Sequence, residues 1–484
     1  MSRPNILLII LDSARVKNMN IYGYENKNTP FLREFQSEST VYKQARSPSI
    51  HSIASHVSMF TGLHASQHGV SEYSVDVDID ATIWKELEMS YGYKTGLFTP
   101  NRIIGTASNL SDAFSHAELA NFKHSQRRRD KIFTESYGVK DTREHLSFWG
   151  NLQEALSDES KFKSLVNCGW AALTKAEDHL RPVPNNNALA GDQFADKFLK
   201  WQKNQQDAWA ACINLMDTHS PYIPDGRYNK WGDKEILELQ GNTSFTVGEL
   251  LKQSSLWEIL PRLESLYDGC ILQADNIIQK VINKLKKENK ADDTMIIITS
   301  DHGEGFGEKS RVDPQVRVGG HSYGIHEVLT HVPLIVQYPG QTNQKSVDNL
   351  ASLTNIPDAI LSEVDYKNHT DKFTDEVVYS STERLFSDAA KRFPNIHDID
   401  NYIGPWQAVY EQDDGKIQKY IMNREKSVAL EIRSIDDVSK ISDRADIEVT
   451  DRYQKLSDKN NFSYSTRDRV SDELKSDLED LGYI

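Results

Sequence analysis

Short aliphatic runs that end in polar residues recur along this chain, and they constrain its fold more than any other feature. The first reads PNILLIILD over residues 4–12, and later runs cover residues 208–216 and 294–299. Uninterrupted aliphatic runs are typical of strands buried on both faces of a parallel sheet. Helical stretches lie between the runs. The sequence therefore predicts an α/β fold with a mostly parallel central sheet flanked by helices.

Weaker patterns supply further elements of this fold. Strands are predicted at residues 95–98 and 332–336, where short apolar runs end in turn residues. Helices are predicted at residues 31–35, after an Asn-Thr-Pro start, and at residues 84–87. Residues 251–287 carry apolar positions at helical spacing and are predicted to be helical throughout.

Two carboxylates and an imidazole directly follow two of the aliphatic runs. Asp12 ends the first run, and Asp301 and His302 come just after the run that ends at residue 299. Because ligands of open α/β sheets bind beyond the carboxyl ends of the strands, we expect these side chains to meet at one edge. Together with one hydroxyl, these side chains suit one divalent metal ion. Ligand type alone does not decide among Mg²⁺, Mn²⁺, Ca²⁺ and Zn²⁺. The structural alternative is that Asp12 caps a turn.

Residues 47–70, SPSIHSIASHVSMFTGLHASQHGV, form the segment around which the chain is organised. Small hydroxyl-bearing residues precede a short apolar stretch, which predicts a loop that leads into a helix. The first backbone N–H groups of a helix are unpaired and favour an oxyanion, so this position suits a nucleophile. The alternative is an ordinary Ser-rich loop that caps a helix.

Charge and cysteine content exclude several function classes. The net charge of −15 argues against general nucleic-acid binding. No apolar run approaches the roughly 20 residues of a membrane span, and Ile6–Leu11 lacks a following cleavage site, so we expect a cytoplasmic protein. Cys168, Cys212 and Cys270 are far apart without a Cys-x-x-Cys pair, which predicts reduced thiols.

The pattern changes near residue 370. Short strands are predicted from there, at residues 377–380, 406–410 and 419–422, before a last helix at Arg469–Leu481. We therefore predict a catalytic domain over residues 1–370 and a smaller C-terminal α+β subdomain over residues 371–484.

Residues 110–210 are polar and weakly patterned, and we interpret them as helical insertions around the site. Their basic run, Arg127–Arg129, is interpreted as a solvated face or as a contact for an anionic substrate. The sequence contains no indication of the oligomeric state.

Several motifs, taken in order, resemble the sulfatase family of the alkaline phosphatase superfamily over nearly the whole chain. They are PNILLIILDSAR, NTPFLREF, SIASHVSMFTGLHASQHGV, THSPY, TSDHGEGFGE, GHSYGIHEVLTHVPLIVQYPG and LKSDLEDLGYI. An Asp-His pair alone is a weak motif, whereas this ordered series is specific. The resemblance implies an alkaline-phosphatase-like fold and a hydrolase of anionic esters.

The resemblance also implies a nucleophile. The family places it nine residues before the Thr of a Thr-Gly pair, and counting back from Thr61 gives Ser52. The best-known members carry a Cys there, in a Cys-x-Pro-x-Arg motif, which matures to formylglycine. This chain has Ser52, Ala54 and His56 at the three motif positions, so formylglycine is not expected. The pattern is similar to members with an unmodified Ser or Thr nucleophile.

A single-metal ligand set is implied in the same way. Many sulfatases have a second Asp where this chain has Ser13, and its absence leaves one divalent ion. The expected ligands are Asp12, Ser52, Asp301 and His302.

Further site residues follow from the resemblance. His219 and His321 match positions where the family binds substrate or protonates the leaving group. Asn101 falls near the family's Lys-x-His substrate contacts, and His56 is expected to contact Ser52 in place of the missing Arg. The histidines near the motifs are otherwise interpreted as hydrogen-bonded loop residues and not as ligands, namely His51, His56, His68 and His326.

The resulting expectation is a metal-dependent hydrolase of sulfate esters that acts on a small anionic substrate, with no nucleic-acid partner and no membrane span. The enzyme alternatives are a phosphodiesterase, a phosphonate or phosphate ester hydrolase, and a phosphoryl-group transferase of the same superfamily. The family's membrane-bound transferases usually carry transmembrane helices, which favours a hydrolase here. The alternative of another class is a catalytically inactive relative that binds an anion or a glycan.

Overall fold

Seventeen strands and eleven α-helices are found in the part of the chain that the computed structural model describes. That part comprises residues 3–71, 74–120, 191–243, 245, 247–365, 371–382, 402, 404–424, 426–435, 437–457 and 462–466. The predicted helical insertion around Arg127–Arg129, Cys168 and the predicted last helix at Arg469–Leu481 lie outside the described residues.

The strands are β1 (Asn5–Leu11), β2 (Thr40–Arg46), β3 (Val75–Val77), β4 (Lys94–Thr99), β5 (His116–Leu119), β6 (Trp209–Leu215), β7 (Thr294–Thr299), β8 (Phe306–Lys309), β9 (Arg317–Gly319), β10 (Leu334–Gln337), β11 (Lys345–Ser352), β12 (Val377–Thr382), β13 (Trp406–Asp413), β14 (Lys416–Asn423), β15 (Lys426–Ile432), β16 (Val438–Ser442) and β17 (Tyr464–Thr466). The helices are α1 (Pro30–Phe35), α2 (Ser52–Thr61), α3 (Ala65–His68), α4 (Ile83–Tyr91), α5 (Gly191–Lys203), α6 (Lys234–Asn242), α7 (Val247–Lys252), α8 (Leu260–Lys287), α9 (Glu327–Thr330), α10 (Ile356–Val364) and α11 (Asp446–Ser457).

The central sheet has the strand order β11-β2-β10-β7-β1-β6-β4-β5. Among the described strands of this sheet, only β10 runs against the others, because it pairs antiparallel with both β2 and β7. The mostly parallel sheet predicted from the aliphatic runs is therefore confirmed. The carboxyl ends of β2, β7, β1, β6 and β4 lie at one edge, which is where polar residues follow the strands.

Alternating residues of β1 enter two separate cores, one on each face of the sheet. Leu7 and Ile9 pack in a core with apolar residues of α1, α5 and α8. Leu8 and Ile10 pack on the opposite face with residues of α2, α4 and α10. Successive side chains of a strand point to opposite faces, so a strand covered by helices on both sides must be apolar throughout. The continuous aliphatic run has this physical cause.

A second, antiparallel sheet follows in the C-terminal part, in the order β12-β13-β14-β15-β16. One face of this sheet packs with Ile325, Val328 and Leu329 of the segment around α9, and α11 covers the other through Val449 and Tyr453. The strand β17 pairs with β3, far away in the sequence. A C-terminal subdomain with an antiparallel sheet is thus observed, whereas the boundary at residue 370 remains a prediction.

Several predicted elements differ in detail from the structure. The helical region 251–287 is divided, since α7 ends at Lys252, a 3₁₀ turn follows, and α8 begins at Leu260 with Pro261 in its first turn. Residues 116–119, predicted within a helical insertion, form the edge strand β5. The strand predicted at 332–336 is Leu334–Gln337. Among the described residues, no helix is both long and apolar enough to cross a membrane.

A buried charge cluster joins the two sheets and gives a stability prediction. Glu327 lies 3.0 Å from the guanidinium of Arg46 on β2 and 2.8 Å from the ammonium of Lys419 on β14. Both cations also lie over the ring of Tyr410. We expect Glu327→Gln to cost about 3–5 kcal/mol of unfolding free energy at pH 7, because two buried cations then lose their shared anion. Lys419→Met should cost less, since Glu327 keeps Arg46.

The same cluster predicts a pH dependence. Burial alone would raise the pKa of Glu327, but Arg46 and Lys419 hold it at about 2. A carboxyl pKa below its ordinary 4.5 stabilises the fold above pH 4.5, and this stabilisation is lost as the pH falls toward 2. Urea denaturation of the parent and Glu327→Gln should therefore show a stability gap that narrows progressively below pH 4.5. A gap that is the same at pH 7 and pH 3 would contradict this account.

Candidate active site

The polar residues that follow four neighbouring strands meet at the carboxyl edge of the central sheet. Asp12 follows β1, Asp301 and His302 follow β7, His219 follows β6, and Asn101 follows β4. The chain also leaves β2 at this edge and then enters α2. The convergence expected from the strand ends is therefore present in the structure.

Asp12 is fully buried and is held in place from several sides. Its Oδ2 accepts a hydrogen bond of 2.8 Å from Asn101 Nδ2, and its backbone carbonyl accepts one of 2.6 Å from Thr218 Oγ1. The following residue, Ser13, has a φ of +64°, a left-handed conformation that is strained for a residue other than glycine. This turn brings Ser13 N within 3.2 Å of Asp301 Oδ1, to which it donates. The strained turn thus connects the ends of β1 and β7.

The two residues after β7 present their side chains to the same point. Asp301 Oδ1 accepts hydrogen bonds from two backbone N–H groups, and His302 Nδ1 donates to the Gly303 carbonyl at 2.9 Å. This bond fixes the imidazole so that Nε2 carries the lone pair. Burial, and secondarily His321, lower the pKa of His302 to about 3, which keeps the ring neutral. Gly303 is required for close packing, since a Cβ there would lie 2.0 Å from the Val328 carbonyl oxygen.

Ser52, the residue predicted to be the nucleophile, is the first residue of α2. Its Oγ lies 3.2 Å from His302 Nε2, and the side chain is 1% exposed. The helix begins at Ser52, after His51 in an extended conformation, and ends at Thr61, where Gly62 with a φ of +77° caps it. Ile53 and Val57 anchor α2 in the core below it. The packing of this helix therefore sets the distance between Ser52 and the strand ends.

The residues of this site fit a divalent cation. Oxygen or nitrogen atoms of Asp12, Asp301 and His302 lie within 4.8 Å of one another, and all three residues are buried. Asp301 Oδ2 is buried without a hydrogen-bond partner, which is costly for a carboxylate oxygen. It lies 3.5 Å from His302 Nε2. This distance of 3.5 Å is one that two ligands of a small ion keep when each is about 2.1 Å from it. The cluster contains three of the four metal ligands that the resemblance implies, and the fourth, Ser52, lies 3.2 Å from His302 Nε2.

His321 lies beside this cluster and is bound to a buried carboxylate. Its ring centroid is 4.3 Å from that of His302 and 5.2 Å from that of His219. Nδ1 of His321 lies 3.2 Å from Glu304 Oε2, which also accepts a hydrogen bond of 2.8 Å from Tyr222. Burial alone would lower the pKa of His321, but Glu304 raises it above its ordinary value. Burial likewise opposes the charge on Glu304, yet His321 holds the pKa of Glu304 at about 2.

All predicted site residues are therefore brought together, and two of them have contacts that define their position. Asn101 contacts Asp12, and its Oδ1 accepts from the N–H groups of Ile103 and Ile104, so the side chain is engaged on both sides. His56 Nδ1 donates to the backbone carbonyl of Ser52 at 2.8 Å, so His56 contacts Ser52 through its main chain. The catalytic, metal and substrate roles of these residues remain predictions.

Other histidines lie partly in regular structure, which corrects their interpretation as loop residues. His56 belongs to α2, and His68 ends α3 with its Nε2 3.0 Å from Ser58 Oγ. His51 precedes α2, and His326 precedes α9 as its capping residue.

Three buried polar residues at this site were not predicted from the sequence. Asn214 on β6 contacts Asp12 and His56, Glu304 binds His321, and Tyr222 binds Glu304. Asn214 could have been recognised from the sequence as the one amide within the apolar run AWAACINLM. The motif TSDHGEGFGE contains Glu304, but its position in a Gly-rich loop did not distinguish it from the other acidic residues.

The fold with this arrangement of strand ends is that of the alkaline phosphatase class. A phosphonate monoester hydrolase of Agrobacterium radiobacter superposes with a TM-score of 0.62 at 15% identity, covering 96% of this chain and 100% of that one. A structure described as a complex with its substrate D-glucosamine-2-N,6-O-disulfate gives a TM-score of 0.56 at 14% identity, covering 99% and 98% of the two chains. A Vibrio parahaemolyticus protein of the alkaline phosphatase superfamily gives 0.50 at 12% identity, covering 94% and 88%.

The chain belongs to the sulfatase family, whose model matches residues 4–366. It is similar to arylsulfatase K of Gallus gallus, with 21% identity over 385 residues, 73% of this chain and 62% of the relative. It is also similar to an arylsulfatase of Clostridium perfringens, with 22% identity over 333 residues, 63% of this chain and 64% of the relative. The chain thus spans less than two thirds of the length of these two relatives.

Proposed function

We propose that this protein is a metal-dependent hydrolase of sulfate esters with Ser52 as its nucleophile. The observation that carries the proposal is the approach of the Ser52 hydroxyl, at the start of a helix, to a buried cluster of two carboxylates and an imidazole. The unpartnered Oδ2 of Asp301 supports a cation at this point. Asp12, Asp301, His302 and Ser52 would hold it.

The residues of the chain have distinct parts in this reaction. A bound divalent ion would lower the pKa of the Ser52 hydroxyl and neutralise charge on the sulfuryl group. Ser52 Oγ, favoured as an anion by the helix N-terminus, attacks sulfur in line and displaces the alcohol. His321 or His219 protonates the departing oxygen, and water later releases the sulfate from Ser52. Asn101 and His56 hold Asp12 and the first turn of α2, and we assign them to the substrate-binding region.

The substrate class is a small anionic ester. Two relatives are described as arylsulfatases, and one structural neighbour as a complex with a disulfated glucosamine. Sulfated sugars and aryl sulfates are therefore the substrates that we would test first.

A second candidate activity is the hydrolysis of phosphate diesters or phosphonate monoesters. It is favoured by one departure from the family motif. Ser52 stands where the best-known members have the Cys that matures to formylglycine, and His56 stands where they have the Arg. A phosphoryl group transferred to a serine hydroxyl is released by water through the same in-line geometry. A transferase would differ only in passing that group to a second alcohol.

A rate comparison tests these alternatives. The metal-reconstituted protein is assayed with 4-nitrophenyl sulfate, 4-nitrophenyl phosphate, bis(4-nitrophenyl) phosphate and a 4-nitrophenyl phosphonate monoester. We expect the sulfate ester to have the largest kcat/KM. A larger value for the diester or the phosphonate would replace the sulfatase proposal by the second candidate. Added glycerol that raises alcohol release without raising free phosphate or sulfate would indicate a transferase.

Two further measurements bear on this proposal. The mass of the peptide that contains Ser52 should equal that of the unmodified sequence. Oxidation of serine to formylglycine removes two hydrogens, so a mass about 2 Da lower would overturn the plain-serine mechanism. Calorimetric titration of the metal-free protein with Mn²⁺ should show a single site. Absence of any heat with Mn²⁺, Mg²⁺, Ca²⁺ or Zn²⁺ would favour an inactive relative that binds an anion or a glycan.

A further inference from the structure

Asn214 is a buried amide in an otherwise apolar strand, and its partners belong to three other elements. It lies in β6, where Ile213 and Leu215 are its neighbours, and it is fully buried. Cys212, two residues earlier on the same face of the strand, packs in the core that contains α2. Burying an amide in such a position costs free energy unless its hydrogen bonds are made, so the Asn214 side chain needs partners inside the protein.

The three hydrogen bonds of Asn214 converge on the candidate site. Thr99 Oγ1, at the end of β4, donates to Asn214 Oδ1 at 3.2 Å. Asn214 Nδ2 donates to Asp12 Oδ2 at 3.4 Å and to His56 Nε2 at 3.4 Å. The opposite orientation of the amide would place its oxygen against the Asp12 carboxylate, which would repel it. The Asn214 oxygen therefore faces Thr99 and its nitrogen faces Asp12.

This orientation also determines how His56 is held. Because Nε2 of His56 accepts from Asn214, Nδ1 carries the hydrogen and donates to the Ser52 carbonyl at 2.8 Å. A continuous chain of hydrogen bonds therefore runs from Asp12 through Asn214 and His56 to the first turn of α2. The Ser52 hydroxyl and the Asp12 carboxylate are 40 residues apart in sequence and belong to separate elements. Asn214 and His56 together connect the Asp12 carboxylate to the backbone carbonyl of Ser52.

We propose that Asn214 is a positioning residue, whose amide ties Asp12 to the helix that carries Ser52. The inference rests on the proposed function, since it assigns Asn214 to the ligand and nucleophile positions named there. Residues that orient metal ligands typically change metal affinity or activity by about 10–100-fold when removed. A buried amide with a purely structural role would change stability and leave both quantities of the folded protein intact.

The test measures Mn²⁺ affinity of the metal-free protein by calorimetry, and kcat and KM of the reconstituted enzyme on the best ester of the rate comparison. Asn214→Leu keeps the side-chain size and removes all three hydrogen bonds. We expect Mn²⁺ affinity and kcat to fall about 10–100-fold each, with KM changed by less than about 3-fold. Cys212→Ala, on the same face of β6, serves as the matched control and should leave both quantities unchanged.

A second variant keeps the inference falsifiable if Asn214→Leu fails to fold. Asn214→Ala removes the same three hydrogen bonds with a smaller side chain that cannot clash with Asp12 or His56, so the same two quantities should fall by a similar factor. A folded Asn214→Leu with parental Mn²⁺ affinity and kcat would overturn the positioning role while leaving the proposed function standing. Failure of the parent to bind Mn²⁺, or full turnover by Ser52→Ala, would instead overturn the proposed function and this inference with it.

Discussion

Replacing Ser52 by alanine is expected to lower kcat by about 10⁴-fold or more, because covalent catalysis loses its nucleophile while the remaining site can only bind the ester. The hydroxyl that is removed lies 3.2 Å from His302 Nε2 and is buried at the start of α2. Alanine is a good helix former, and the apolar anchors Ile53 and Val57 are untouched, so the fold should be retained. The loss should therefore appear in turnover and not in stability.

The same helix offers a matched control for this experiment. Ser58 is also buried in α2, and its Oγ contacts His68 and no residue of the candidate site. Because this hydroxyl is remote from the site, Ser58→Ala should keep roughly half or more of the parental kcat. The free energy of unfolding should fall by about 1 kcal/mol, since a buried hydrogen bond is lost. If Ser52→Ala kept more than a tenth of the parental rate with the same protein preparation, Ser52 would not be the nucleophile.

Metal binding separates two explanations of such a loss. Ser52→Ala removes one of four proposed ligands, whereas Asp12, Asp301 and His302 remain. Calorimetry should therefore still detect Mn²⁺ binding to Ser52→Ala, more weakly than to the parent. Inactive protein that binds the ion shows that the hydroxyl itself is required. Complete loss of ion binding would mean that the hydroxyl acts mainly as a ligand.

The strand ends show how far the sequence alone could lead. An aliphatic run that ends in Asp12, and another that ends before Asp301, predict both a buried parallel sheet and a common edge, since period and burial are local properties. The strand β2 was not predicted because Lys43 and Gln44 interrupt its apolar pattern at half-buried positions. The start of α8 was visible in principle, because Pro261 lies in its first turn, where proline is favoured.

Partners across the site could not be predicted in the same way. Asn101 and Asp12 are 89 residues apart, and Asn214 and His56 are 158 residues apart. Which amide meets which carboxylate depends on strand order, and several orders are compatible with one sequence of strands. The antiparallel direction of β10 illustrates this, since its residues read like those of any buried strand. The resemblance to a family supplied the proposed nucleophile position, but not the contacts that hold Ser52 in place.

Replacing Asp301 by asparagine is expected to change stability and turnover in opposite directions. In the metal-free protein, Oδ2 of Asp301 is buried without a hydrogen-bond donor, close to the carboxylate of Asp12. The amide removes one of these two buried charges, and its Oδ1 can still accept from Ser13 N and His302 N. Relieving a buried unpartnered group should raise the free energy of unfolding by about 1–3 kcal/mol. Turnover should fall by about 10³-fold or more, because charge stabilisation by an ion contributes several kcal/mol.

Chemical denaturation with EDTA and with Mn²⁺ measures this trade-off. Mn²⁺ at about 100 times its Kd should stabilise the parent by about 2.7 kcal/mol, whereas Asp301→Asn should show little response. Asp275 provides the matched control, because both of its oxygens accept backbone N–H groups, from Phe31 and Leu32. Asp275→Asn places an amide N–H against one of these donors and should be destabilising. A metal-free Asp301→Asn less stable than the parent would mean that Oδ2 already has a favourable partner, and the metal site would then have to be placed elsewhere.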